Sequence, residues 1–145
     1  KREPTEMGIR TPIFITHEPS IKPQRDTTTL ASNIDIATTI LRACGIEPPS
    51  KMSGLDLRDT EVLKKRDRIF VDVYDHDIDL EKLGDIDHGV KARVVIDGWD
   101  KLTLRPDRAE LYDLKTDDND TKDLSPTNKD KVAELKAIIA DHLQR

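Results

Sequence analysis

Acidic side chains are the first candidates for chemistry in this chain of 145 residues. Carboxylates occupy every second position from 75 to 81, a spacing shared with calcium-binding loops. A loop of the helix–loop–helix kind requires Gly at its sixth position and a carboxylate at its twelfth, where this chain has Leu80 and Ile86. The segment is therefore predicted to be a solvated loop, not a metal site.

The other reactive residues lack partners at a useful spacing. Cys44 is the only cysteine, which excludes a disulfide or a thiolate cluster within the chain. Its apolar neighbours in a helical stretch predict a buried, unreactive thiol. His17 and His142 have no partner at motif spacing, and the Asp-His-Gly run at 87–89 is predicted to be a loop before a strand. No complete catalytic site and no metal site is predicted here.

The N-terminal residues combine a cation with a tight turn. Lys1 is followed at residues 6–12 by Glu-Met-Gly-Ile-Arg-Thr-Pro. Glu6 and Arg10 are four residues apart around Gly8, so hydrogen bonds are predicted to hold a turn in which Gly8 has a positive φ. Glu6, Gly8 and Arg10 are therefore predicted to be structural, not catalytic.

The elements that position these residues have an α/β pattern in the first part of the chain. Residues 12–16 are apolar and rich in β-formers, which predicts a strand buried on both faces, as in a parallel sheet. A helix is predicted from a cap at residue 32 or 33 to about residue 44, and a short helix at about 60–65. This part is interpreted as the last strand and helix of a large α/β sheet.

The period of the apolar residues then changes to two. Strands are predicted at 68–74, 90–96, 99–104 and 109–114. Asp97-Gly98 predicts a two-residue hairpin turn. After a Ser-Pro pair at 125–126, a helix is predicted with one apolar face formed by Val132, Leu135, Ile139 and Leu143.

These elements predict an α/β fold class, with an α+β C-terminal part. Residues 1–50 form the end of a main α/β domain, 51–65 a connector, and 66–145 an antiparallel sheet of about four strands packed on a C-terminal helix. Net charge is −5 with acidic and basic residues interleaved, so nucleic-acid binding is not expected. No apolar run reaches 18 residues, so no membrane span is predicted.

Three blocks of sequence carry a resemblance to a known family. Residues 1–12 contain Lys and Glu-x-Gly-Ile-Arg-Thr-Pro, residues 32–54 begin Ser-Asn-Ile-Asp-Ile-Ala and pass through a Gly-Ile turn, and residues 110–124 begin Glu-Leu-Tyr-Asp-Leu before an acidic turn. In order and spacing they resemble the C-terminal part of a sulfatase of the alkaline-phosphatase superfamily. Three positions, where the family usually has Pro, Pro and Asn, depart from its pattern: Thr38, Asp118 and Asp123.

The resemblance implies a parent enzyme that hydrolyses a sulfate ester. Its nucleophile would be a formylglycine and its metal calcium or another divalent cation, both supplied upstream of this chain. Lys1 matches the family's lysine that contacts the substrate sulfate, where a compact ammonium stabilises charge that builds on oxygen. Cys44 is not the nucleophile, because it lacks the Cys-x-Pro-x-Arg setting.

The resemblance also implies partners and a role for the C-terminal subdomain. The partners are the sulfate-ester substrate and the remainder of the sulfatase chain. In the family this subdomain can lean over the mouth of the pocket, which makes Tyr74, His76 and His88 candidate specificity residues. Members are often periplasmic or secreted, and the location of this protein is left open.

Two alternatives remain open. A phosphonate or phosphodiester hydrolase of the same superfamily would have a similar C-terminal half and would differ in its upstream nucleophile. A non-catalytic interaction module would cover the strand at 12–16 within this chain, whereas in a fragment of a larger enzyme it would be unpaired, swapped or packed on a neighbouring molecule. The fragment by itself is expected to have no hydrolytic activity.

Overall fold

The computed structural model describes residues 3–16, 21, 23–76, 80–82, 85 and 87–144. The helices are α1 (Glu6–Ile9), α2 (Ile34–Ala43), α3 (Thr60–Leu63) and α4 (Lys129–Leu143), with a 3₁₀ turn at Leu80–Lys82. The strands are β1 (Arg68–Tyr74), β2 (Val90–Asp97), β3 (Asp100–Leu104) and β4 (Ala109–Asp113). The chain forms two compact units, of which one joins the residues up to Thr11 to those from Phe70 onward and the other contains Pro12–Ile69.

The first unit is built on a four-stranded sheet in the order β1-β2-β3-β4. Strands β2, β3 and β4 pair antiparallel as consecutive hairpins. The Gly98-Trp99 pair forms the first turn, one residue later than predicted, because Asp97 still pairs with Asp100. Gly98 has φ +59° and stands at the first central position, where a type II′ turn requires positive φ.

Helix α4 packs on one face of this sheet and closes the core. The buried apolar side chains come from three strands and the helix: Val95, Leu102, Leu111, Val132, Leu135 and Ile139. The predicted antiparallel sheet with a C-terminal helix is thus confirmed. The helix starts later than the predicted Ser-Pro cap, since the side chain of Asn128 accepts the Lys131 N–H and supplies the cap.

The second unit is held by the buried carboxylate of Asp35 at the start of α2. Asp35 is fully buried and accepts two hydrogen bonds from the Arg66 guanidinium, at 2.5 and 2.7 Å. It also accepts the backbone N–H groups of Ser32 and Leu55, each at 2.8 Å. Burial acts to raise the pKa of Asp35, but the hydrogen bonds from Arg66, Leu55 and Ser32 outweigh it and keep that pKa below its ordinary value.

Two predictions for the second unit are corrected. Residues 12–16 form no strand, and Phe14 is 87% exposed. A strand needs hydrogen-bonding neighbours, and among the described residues this segment has none in a sheet. Cys44 is exposed, not buried, because it ends the outward face of α2 that also carries Ile36 and Ile40. None of the described helices has the length and apolar character needed to cross a membrane.

Candidate functional site

The segment that follows Lys1 folds into a single helical turn. Helix α1 is closed by backbone bonds in which the Thr5 carbonyl accepts the N–H groups of Gly8 and Ile9, at 2.8 and 2.9 Å. The Arg10 N–H then donates to the Glu6 carbonyl at 2.9 Å. The predicted turn therefore exists, but its internal hydrogen bonds are made by the backbone.

Gly8 is needed because the backbone at this position lies very close to the Glu3 carbonyl oxygen. The prediction that Gly8 has a positive φ is wrong. Gly8 lies within α1 and is absent from the positive-φ glycines of the described chain. A Cβ on this residue would lie 2.0 Å from the backbone oxygen of Glu3, well inside van der Waals contact. The turn is thus folded back on the residues before it, and only glycine fits.

The side chain of Glu6 binds a buried lysine of the sheet. Lys101 is the second residue of β3, is fully buried, and donates from Nζ to Glu6 Oε1 at 2.9 Å. The same ammonium donates to Asp120 Oδ2 at 2.8 Å, and that oxygen also accepts the Glu6 backbone N–H at 2.7 Å. Glu6, Lys101 and Asp120 thus form a closed triad, called the anchor below.

The acidic turn after β4 supplies the third member of the anchor. Asp120 has φ +56°, the only non-glycine residue of the described chain in the left-handed region. The Asp117 carboxylate accepts the N–H groups of Thr121 and Lys122, and these bonds lower the pKa of Asp117. The carboxylates of this turn therefore serve as backbone caps that aim Asp120 at Lys101.

Asp123 joins the same turn to the sheet. Its carboxylate accepts the N–H groups of Leu111, at 3.0 Å, and Ser125, at 2.8 Å. Burial acts to raise the pKa of Asp123, and these hydrogen bonds more than offset that, so the pKa lies below its ordinary value. Asp123 stands where the family usually has Asn; its Oδ1 accepts both N–H groups, and its Oδ2 accepts the Ser125 hydroxyl at 2.9 Å.

A second, more exposed contact holds the start of the same segment. Glu3 Oε1 accepts a hydrogen bond from Lys91 at 2.5 Å, and its other oxygen lies 3.5 Å from Arg105 Nη2. The hydrogen bond from Lys91 is the main reason that the pKa of Glu3 is lowered. Because the Glu3 side chain is 51% exposed, this contact is weaker than the anchor.

Lys101 was not among the residues predicted from sequence to belong to the site. Its only local signal is that a lysine stands inside a predicted strand, between Asp100 and Leu102. Strand alternation places Lys101 and Leu102 on opposite faces, and Leu102 belongs to the α4 core. Lys101 therefore lies on the face away from α4, where α1 and the acidic turn supply its partners.

The predicted specificity residues lie at one end of the sheet. Tyr74 ends β1 and is 45% exposed, and His76 is also exposed. His88 is half-buried in the turn that leads into β2. The Asp75 N–H donates to the Gly89 carbonyl at 2.8 Å, which brings the two ends of this loop together. Lys1 lies outside the described residues.

No group of three or more His, Cys, Asp or Glu side chains could hold a metal ion, as far as the described part of the chain extends. The carboxylates that are close together face cations or backbone N–H groups of the protein itself, as in the anchor. The described residues therefore do not fit a metal centre.

The whole sequence, residues 1–145, matches the family described as N-sulphoglucosamine sulphohydrolase, C-terminal. The chain belongs to this family. The resemblance drawn from the three sequence blocks is thereby confirmed, and the anchor links two of those blocks, since Glu6 lies in the first and Asp120 in the third. No curated protein sequence matches this sulfatase C-terminal region.

Solved structures that share the fold of this chain include a sulfatase. A 2-O GAG sulfatase shares 23% identity with a TM-score of 0.65, over 88% of this chain and 28% of its own. A structure in complex with its substrate D-glucosamine-2-N,6-O-disulfate shares 21% identity with a TM-score of 0.55, over 80% of this chain and 25% of its own. At these identities the likeness shows the fold alone, and the chain spans about a quarter of those proteins.

Proposed function

We propose that the protein containing this chain hydrolyses a sulfate ester. The observation that carries this proposal is the match of residues 1–145 to the sulfatase C-terminal family. The chain itself contributes a rigid support and one catalytic cation. The non-catalytic interaction module is disfavoured, because it requires a covered strand at 12–16 and that segment lies open with Phe14 exposed.

Lys1 is the cation that we assign to the reacting sulfate. As the S–O bond to the leaving group breaks, negative charge grows on oxygen, and a compact ammonium in a water-poor pocket stabilises that charge. The support for this role is the position of Lys1 five residues before Glu6, whose side chain and N–H are both held by the anchor.

We propose a sulfated amino sugar as the substrate. Support comes from the family, whose description names N-sulphoglucosamine, and from one structural neighbour that holds D-glucosamine-2-N,6-O-disulfate. Tyr74, His76 and His88 are then the residues of this chain that select the sugar. Support comes from their place in the chain, next to the Asp75 N–H···Gly89 carbonyl bond, and from their chemistry, since aromatic rings suit the C–H face of a sugar and N–H or O–H groups suit its hydroxyls.

Sulfatases as a family use a metal ion and a formylglycine nucleophile. We propose that both are supplied by the remainder of the protein, upstream of Lys1. Calcium is the metal we favour. The described residues hold no set of ligands for it, so no step of the reaction is assigned to the metal through this chain.

The test is turnover by the complete protein. D-Glucosamine-2-N,6-O-disulfate is the first substrate, and the expected result is release of its 6-O-sulfate as inorganic sulfate with the 2-N-sulfate retained in the product. A phosphodiester and a phosphonate ester are assayed beside it. Faster release of a phosphoryl product than of sulfate would overturn the proposal in favour of the related phosphoryl hydrolases.

A lysine variant tests the assigned cation. Lys1→Ala is expected to lower kcat by about 10²- to 10³-fold, the range seen when one preorganised stabiliser of developing charge is removed. Lys1→Arg is expected to recover little activity, because a planar guanidinium does not replace a compact ammonium in a fitted pocket. Full activity of Lys1→Ala would remove Lys1 from the site.

A further inference from the structure

Forming the anchor costs free energy, because three charged groups are removed from water. It buries one ammonium and two carboxylates, with side-chain exposures of 0% for Lys101, 7% for Glu6 and 2% for Asp120. Replacing a buried ionic cluster by well-packed apolar residues is often neutral or stabilising. Stability of the sheet alone therefore does not explain why three charges meet here.

Directional contacts do explain it, because they specify one position of the N-terminal segment. The ammonium of Lys101 reaches Glu6 and Asp120 together, and Asp120 Oδ2 in turn accepts the Glu6 N–H. Glu6 is thus held by both its side chain and its backbone. A shift of this segment along the sheet by one residue would break both contacts at once.

The contact of Glu3 with Lys91 and Arg105 disfavours one alternative placement of the N-terminal segment on the sheet. Glu3 is the other acidic residue at the start of the segment and stands three positions before Glu6. A slip of three residues would bring Glu3 to Lys101. In the structure, Glu3 is already paired with Lys91 and Arg105, so the two acidic residues have separate partners.

The anchor is close enough to Lys1 to control its position. Glu6 stands five positions after Lys1, and a chain of that length reaches at most about 18 Å when extended. The backbone between them has little freedom at its near end, because Gly8 packs against the Glu3 carbonyl with no room for a Cβ. The part of the chain that leads from Lys1 into α1 is therefore held from Glu3 onward.

We propose that Lys101 is a positioning residue for sulfate ester hydrolysis, which sets the place of Lys1 through Glu6 and Asp120. It touches neither substrate nor reacting atoms. The inference rests on the proposed function, since it requires that Lys1 acts on the sulfate. It adds that a lysine 100 positions away in the sequence, near the start of the interior strand β3, tunes that action.

The test compares variants of the complete protein. Lys101→Met alone leaves two buried carboxylates without a cation and is expected to fold poorly. The decisive variant therefore combines Lys101→Met, Glu6→Gln and Asp120→Asn, which removes all three charges and keeps the side-chain sizes. Leu135→Ala, in the α4 core, serves as a control for loss of stability without loss of the anchor.

Kinetics give the first readout. In the triple variant, kcat and kcat/KM for D-glucosamine-2-N,6-O-disulfate are expected to fall together by about 10- to 100-fold, because a misplacement of about 1 Å costs this much. Leu135→Ala is expected to keep the kcat of the wild type at a temperature where it is folded. A folded triple variant with unchanged kcat would overturn the proposal.

Hydrogen exchange gives a readout that does not need activity. The N–H groups of Glu6, Gly8 and Ile9 are expected to exchange faster in the triple variant, while those of β2 and β3 keep their protection. Unchanged exchange at these positions would overturn the proposal even if kcat fell. Should the wild type release no sulfate, the proposed function fails, and the exchange result still decides whether Lys101 holds the segment.

Discussion

Asp35 and Arg66 form a buried, two-pronged ion pair across 31 residues of chain. Arg66 Nη1 lies 2.5 Å from Asp35 Oδ2 and Arg66 Nη2 lies 2.7 Å from Asp35 Oδ1. The side chains are 0% exposed for Asp35 and 10% for Arg66. This pair ties the first turn of α2 to the residues before β1, so it organises the second unit as the anchor organises the first.

Asp35→Asn should destabilise the second unit strongly. The variant keeps the shape of the side chain but leaves the Arg66 guanidinium without a carboxylate, and breaking a buried pair costs about 3–5 kcal/mol. Urea unfolding followed by circular dichroism gives the free energy of unfolding. Arg42→Ala is the matched control, because its pair with Glu47 is exposed on both sides and little change is expected. Equal losses in the two variants would contradict this account.

Stability should fall in acid. The pKa values of Asp35 and Asp123 lie below the ordinary 3.8 in the folded chain, so the folded state binds fewer protons than the unfolded state. Their contribution is complete above the unfolded pKa and is lost as the pH falls through the folded pKa. We therefore expect the free energy of unfolding to drop below about pH 4.

The acid effect is checked by urea titrations at a series of pH values. In Asp35→Asn one of these carboxyls is gone, so the free energy of unfolding should change less steeply below about pH 4 than in the wild type. If the free energy of unfolding changed equally steeply with pH in both proteins, Asp35 would not be the cause of the loss of stability in acid.

Gly54→Ala should be far more harmful than Gly45→Ala. A Cβ at Gly54 would lie 2.3 Å from the Ile34 carbonyl oxygen and 2.7 Å from Thr38 Oγ1, so backbone must move. Gly45 has φ +72° and open space around it, so an alanine there meets only the strain of a left-handed residue, about 1–2 kcal/mol. Thermal melting of both variants tests the order, and a lower melting temperature for Gly45→Ala would refute it.

Leu135→Ala should open a cavity in the first unit. Leu135 is completely buried between α4 and the sheet, and such truncations cost about 2–5 kcal/mol. Ile40→Ala provides the contrast, since Ile40 is 57% exposed and its truncation leaves no cavity in this chain. The melting temperatures of the two variants are the measurement, and a similar drop in both would argue against the described core.

The local sequence pattern was enough to predict most of the secondary structure of the first unit. The period of two in residues 68–74 predicted β1 with its observed bounds, and Asp97-Gly98 predicted the β2–β3 hairpin to within one residue. The apolar face of α4 was predicted because helical spacing puts Val132, Leu135 and Ile139 on one side. The ordered blocks of sequence likewise indicated the family.

The contacts that matter for the site depend on which distant surfaces meet, and no local pattern contains that information. Lys101 and Glu6 are 95 residues apart, and the burial of Lys101 follows only when α1 and the acidic turn cover one face of β3. Residues 12–16 have the composition of a buried strand, yet a strand forms only beside another, and no strand described here pairs with them. Composition sets what a segment is able to form, and its neighbours in space decide whether it forms.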